Sequence, residues 1–226
     1  MAHSDNPSPE SAHEKPARDR IIEAFVLLLA EQPIERIGLA EIATRAGVTL
    51  ADLRGEFDST LAILAAWSKD VDRAVLRGVD SDMADEPPRE RLFDVLMQQI
   101  ELLTPHKAAL RSLQRSAMRN PGLAMAINAL AVRSQQWMLT AAGISASGPK
   151  GMLRAQGLAI LFASVLRTWV DDDDPGLART MAALDTALAR GQRWAGFLDD
   201  LLTLPARVCP TRARRRPPAR DQTIAA

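Results

Sequence analysis

Tyrosine is missing from the 226 residues, and cysteine occurs once, at Cys209. A lone thiol excludes an internal disulfide framework and a cysteine-rich metal site, and it fits a reducing compartment. Cys209 stands among prolines and arginines and reads as an incidental exposed thiol. Aromatic residues are limited to four Trp and five Phe. Runs of Val, Ile and Thr that would mark strands are absent, while Ala, Leu, Arg, Glu and Met abound; the fold class expected is all-α. Apolar runs such as Leu158–Val165 fall far short of the ~20 residues a membrane span needs. The first residues show no cationic stretch leading into an apolar core, so no signal peptide is read and a cytoplasmic location is expected. Net charge is lacking too: 28 Lys and Arg balance 28 Asp and Glu. Any attraction to nucleic acid must therefore come from a local patch.

Enzyme signatures are equally scarce. The chain has no glycine-rich phosphate loop, no His, Cys and carboxylate set at metal spacing, and no nucleophile with a recognisable base. A non-enzyme without metal or cofactor is expected. The run Asp171–Asp174 invites a cation, but consecutive carboxylates at a helix end point in different directions. Asp174 is read as the N-cap of the next helix, with the other three solvated.

What is present is helical periodicity. Residues 1–16, rich in Ser, Pro, Asp and Glu, are expected to be disordered. Ala17–Glu31 repeats Ile21, Ile22, Phe25, Leu28 and Leu29 at helical spacing. Gly38–Ala46 forms a short second helix, Gly47 turns the chain, and Thr49 caps a third, with Asp52 three residues on. Ser59–Arg77 makes a fourth helix, and Gly78–Pro88 reads as a linker. Further helices are expected over Arg89–Leu103, Pro105–Arg119, Pro121–Ala142, Lys150–Val170, Pro175–Arg190 and Gln192–Leu204. The expected domains are a head over 17–66 and a body of about six helices over 67–204. Residues 205–226, carrying six arginines among prolines, form a basic tail expected to be disordered.

The informative segment runs from Leu39 to Leu53. Two short helices crossing at a tight turn need a small residue at the crossing (Ala43), a glycine at the bend (Gly47) and apolar plugs (Ile42, Val48, Leu53). Phe57 anchors the end of the second helix. Such a unit turns its second helix outward, where a DNA major groove can receive it. Ile42-Ala43, Ala46-Gly47-Val48-Thr49, Leu53, Phe57, Ser59 and Leu64 are in register with the helix-turn-helix of the TetR family of one-component regulators, which the chain resembles strongly over Arg18–Trp67. Arg54 stands where that family has Tyr, and Thr60 where it has a phosphate-touching Lys. From Glu41 to Thr60 four acidic residues face two basic ones.

The resemblance implies a TetR-like fold and a repressor that binds operator DNA as a homodimer and responds to an apolar small molecule. Arg36, Arg45, Arg54 and Thr60 are then candidates for phosphate contact, and Thr49, Leu50 and Ala51 for base edges. Met97, Met118, Met125, Trp137 and Met138 are candidate lining of an apolar effector pocket, with Gln98, His106, Asn128 and Gln135 as polar candidates. His106, at a helix start, reads as an exposed first-turn residue. Leu158, Leu161, Val165, Trp169, Met181 and Leu184 are candidates for the dimer interface. An alternative comes from Gly157–Leu177, which is similar to the lipid-binding ubiquinone-biosynthesis accessory proteins that share this fold. That resemblance implies an isoprenoid-binding protein that does not bind DNA and touches membranes through the stripe Trp194–Leu204.

Overall fold

Helix α1 (Ala17–Glu31) buries Ile21, Phe25, Leu28 and Leu29 on one stripe, and that stripe decides the architecture. It packs on α2 (Leu39–Ala46), α3 (Leu50–Glu56) and α4 (Thr60–Arg77), and also lies along α6 (Lys107–Arg119). The computed structural model describes residues 15–79 and 85–203, with side chains up to Gly191; Cys209 and the basic tail lie outside the described residues. Helix α4 then packs on α5 (Pro88–Leu103) and α7 (Pro121–Ala141), and α7 pairs with α8 (Gly148–Trp169). No strand occurs among the described residues. The all-α expectation is met.

Local chemistry fixes the ends. Asn120 Oδ1 accepts the Leu123 N–H at 3.0 Å, with Pro121 in the first helical position of α7. Gly143, at φ 72°, closes α7, and Ile144 N–H donates to the Leu139 carbonyl at 2.8 Å. A residue with a Cβ rarely adopts that left-handed conformation, so glycine is the usual stop.

Three boundaries differ from the periodicity reading. The helix expected over Pro105–Arg119 begins as a 3₁₀ turn, Thr104–His106, before α6. The two helices expected over Pro175–Arg190 and Gln192–Leu204 are one, α9 (Ala178–Thr203). Gly191 does not break it: a helical glycine costs only ~1 kcal/mol, and a Cβ there would already meet Leu161 Cδ1 at 3.4 Å. Asp174 does not cap α9 in the expected way, because Pro175 opens a turn that ends at Leu177, φ 52°. Asp174 binds the Gly176 and Ala178 N–H groups, both at 3.2 Å. Asp172, expected to be solvated, is buried and accepts from the Thr180 N–H at 2.9 Å and hydroxyl at 2.6 Å.

Head and body share one core. Ser112 Oγ donates to the Gln32 carbonyl at 3.1 Å, and Arg18 grips both oxygens of Asp70 at 2.8 and 3.2 Å. By its contacts the chain divides into Met1–Gly191 and Gln192–Ala226.

Candidate nucleic-acid interface

The turn between α2 and α3 is built as its sequence requires. Gly47 has φ 63°, its N–H reaches the Thr44 carbonyl, and the Val48 N–H reaches the Ala43 carbonyl at 3.0 Å. These bonds satisfy carbonyls that the end of α2 would leave orphaned. Thr49 Oγ1 accepts the Asp52 N–H at 3.1 Å while Asp52 Oδ2 accepts the Thr49 N–H at 3.0 Å, a reciprocal capping box. The Thr49 hydroxyl, which donates to Asp52 Oδ2 at 2.7 Å, and then the Thr49 N–H hold the Asp52 carboxyl below the usual aspartate range. Ile42, Ala43, Leu53 and Phe57 are buried and Val48 is half-buried. The opposite side of α3 is open: Thr49, Ala51 and Arg54 are exposed, and Leu50 is 55% exposed.

The candidate phosphate contacts fare unevenly. Arg36 is exposed on the 3₁₀ turn Ile34–Arg36, with no partner among the described residues. Arg45 is held by both oxygens of Glu31, at 3.0 and 2.7 Å. That pairing raises the Arg45 pKa and lowers that of Glu31. Arg54 is paired with Asp58, one turn on. Thr60 is half-buried at the start of α4, beside Ser59, whose Oγ accepts the Ala62 N–H. The Arg45–Glu31 pair was not visible in the sequence, because it depends on how α1 and α2 cross.

These features, an exposed third helix on a glycine turn with its first helix laid along a helical body, have counterparts among solved structures. A TetR transcriptional regulator from Nitrosomonas europaea superposes with a TM-score of 0.62 at 21% identity, over 78% of this chain and 98% of its own. Another from Rhodococcus sp. RHA1 gives 0.55 at 23% identity, over 77% and 95%. The chain has the TetR fold. No family model matches it, and no curated protein matches it by sequence. Neither of these two neighbours is a lipid-binding accessory protein, and the side chains of the stripe Trp194–Leu204, on which that alternative drew, lie outside the described residues.

Within the body, the expected pocket and interface residues fall in different surroundings. Met118, Met125 and Trp137 are 77%, 75% and 56% exposed; Met138 is fully buried core. Helical spacing marked all of them as apolar positions without saying which face met protein. Met97 alone lines the cleft of about 570 Å³ found between α5 and the α8–α9 connection, together with Glu101, Lys107, Asp173, Leu177 and Met181. Leu158, Val165, Trp169 and Leu184 are buried within the chain. Leu161 is half-buried against that core, and only Met181 of the six is exposed. The apolar residues that α8 does turn outward are Met152, Leu153 and Ile160, between 51% and 60% exposed.

Two polar features of the body were missed or misread. Asp72 of α4 is buried, accepting from Ser134 Oγ at 2.6 Å and Gln99 Nε2 at 3.4 Å, and Gln135 Nε2 extends the chain to Gln99 Oε1. Burial pushes the Asp72 carboxyl above the usual range. His106, expected to be exposed, is half-buried with its ring edge-on to Trp67 of α4 at 5.5 Å, and burial lowers its pKa. No three His, Cys, Asp or Glu groups converge at metal distance among the described residues. No helix of the described residues is long and apolar enough to cross a membrane.

Proposed function

We propose that this chain is a cytoplasmic one-component transcriptional regulator, a repressor that reads operator DNA as a homodimer and is released by a small apolar effector. One observation carries the reading: the first turn of α3 stands clear of the core on a fixed glycine turn and capping box, within the fold of TetR regulators. Thr49, Leu50 and Ala51 meet base edges, with Leu50 and Ala51 suited to thymine methyl groups. Arg36 contacts phosphate directly, and Arg54 joins it by exchanging Asp58 for a phosphate oxygen. The dimer forms through the outward stripe Met152, Leu153 and Ile160, an apolar patch of the kind that marks association surfaces. The effector enters the cleft lined by Leu177 and by Met97 and Met181, whose flexible thioethers adapt to varied shapes.

The test is binding to DNA spanning the chain's own promoter, compared with random duplex. The regulator discriminates between them, and Leu50→Ala with Ala51→Gly erases the discrimination while leaving the fold unchanged. Equal affinity of the unaltered chain for promoter and random DNA overturns the reading.

A further inference from the structure

The α2–α3 pair has little apolar anchorage of its own. Helix α2 buries Ile42, Ala43 and Ala46, and α3 itself buries only Leu53. Burial stabilises in proportion to the apolar area removed from water, and the two alanines give little purchase against rotation of α2 about its axis. Polar ties add the missing definition, and they converge on the last residue of α1 and the residue that caps it. Arg45 donates from both terminal nitrogens to the two carboxylate oxygens of Glu31, at 3.0 and 2.7 Å. Gln32 Nε2 donates to Glu41 Oε1 at 2.8 Å. Glu41 and Arg45 stand four residues apart, in the first and last turns of α2, and so share one side of it. The Gln32 carbonyl accepts the hydroxyl of Ser112, on α6 of the body, at 3.1 Å. Two consecutive residues therefore grip α2 near both ends and tie it to the body.

We propose that Glu31 and Gln32 are positioning residues that clamp the α2–α3 pair at a fixed angle on the body, with Arg45 as the handle of that clamp and not a phosphate contact. For its consequence on DNA the proposal rests on the reading of α3 as the base-contacting helix. The bidentate pair with Glu31 occupies the same planar fork of Arg45 that a phosphate would need. Each tie is exposed and contributes little to stability; its effect is on geometry. Helix α3 follows α2 after the short turn at Gly47, so a rotation of α2 carries the first turn of α3 with it. That displaces Thr49, Leu50 and Ala51 from base edges. Contacts to phosphate, which carry no sequence information, tolerate the shift better. Loss of the clamp is thus a loss of discrimination rather than of affinity for DNA in general.

The test compares the full chain with Glu31→Gln, Arg45→Gln, the double variant of these two, and Gln32→Ala. None of the three side chains is buried, so every variant is expected to fold. Affinities for promoter DNA and for a random duplex are measured from about 50 to 200 mM salt. Each single variant is expected to lower the promoter-to-random ratio about two- to fivefold, the range an exposed pair supplies. The double variant falls no further than Arg45→Gln alone, because the two groups act as one unit. The slope of log affinity against log salt stays unchanged in Arg45→Gln. A slope flattened by about 0.9 on both duplexes with the ratio intact makes Arg45 a phosphate contact and overturns the proposal. So does a ratio unchanged in every variant. Amide hydrogen exchange without DNA separates this proposal from the regulator reading. Should the unaltered chain bind both duplexes equally, the regulator reading fails; faster exchange over Leu39–Glu56 in Glu31→Gln and Arg45→Gln, with α7 unaffected, still upholds the clamp, and unchanged exchange overturns it.

Discussion

Asp72 is the residue whose surroundings conflict most with its chemistry. Its carboxylate is buried between α4, α5 and α7 with a hydroxyl and an amide as its partners, and no cation among the described residues pairs with it. Burial raises its pKa, so in the folded chain the proton is held to a higher pH than in the unfolded one. The resulting stability is fully present below the ordinary aspartate value and is lost as pH rises through the raised folded value. Above that window the charge is simply carried at a cost. Asp72→Asn keeps an acceptor oxygen for Ser134 and Gln99 and removes the charge. At neutral pH it is expected to raise unfolding stability by about 1–2 kcal/mol and to abolish the fall in stability with rising pH. Urea midpoints measured across pH check both; a midpoint at or below that of the unaltered chain contradicts the account.

At the scale of elements, the start of α9 shows the opposite sign. Asp172 accepts two bonds from Thr180 and one from the Asp174 N–H at 3.4 Å; the Thr180 hydroxyl is the leading cause of its lowered pKa. Its contribution is present above the ordinary aspartate value and disappears as pH falls through the depressed folded value. Asp172→Asn is therefore expected to flatten the acid limb of the stability curve, leaving the Asp72 window intact, whereas Asp173→Asn, on an exposed neighbour, changes neither. The helices themselves were legible in the sequence: Ala17–Glu31 has the bounds periodicity sets, and Gly47, Gly143, Thr49 and Asn120 mark their ends by backbone chemistry confined to a few residues. The α9 start was not, because Asp172 caps it across eight residues and a turn with Leu177 at positive φ, a path no local rule specifies. The site was half legible for the same reason. Thr49, Leu50 and Ala51 are exposed as their place in the motif implies, while the pairing of Arg45 with Glu31 is set by the crossing of two helices.

For the whole molecule, the decisive ambiguity is which protein covers an apolar residue. Helix α8 carries two stripes of similar composition, and spacing alone made Leu158, Val165 and Trp169 look as fit for a partner as any. Packing separates them. Those three face α7 and the core, while Met152, Leu153 and Ile160 face outward. Asn128 and Gln156 exchange amide hydrogen bonds, both at 3.1 Å, aligning α7 with α8 as an antiparallel hairpin. One turn from that link in each helix stand Met125 and Ile160, so exposed apolar side chains of both helices lie on one side of the hairpin. The two stripes must then respond differently to substitution. Ile160→Glu, alone or with Met152→Glu, places charge in the proposed interface and touches no core, so it is expected to give a folded monomer. Leu158→Ala opens a cavity inside the chain and should cost about 2–5 kcal/mol, yet leave dimer mass unchanged while the protein remains folded. Light scattering after size exclusion, read beside the thermal midpoint, distinguishes the cases. A dimer that survives Ile160→Glu with Met152→Glu places the contact elsewhere on the body; a monomer with an unchanged unfolding profile assigns it to this face.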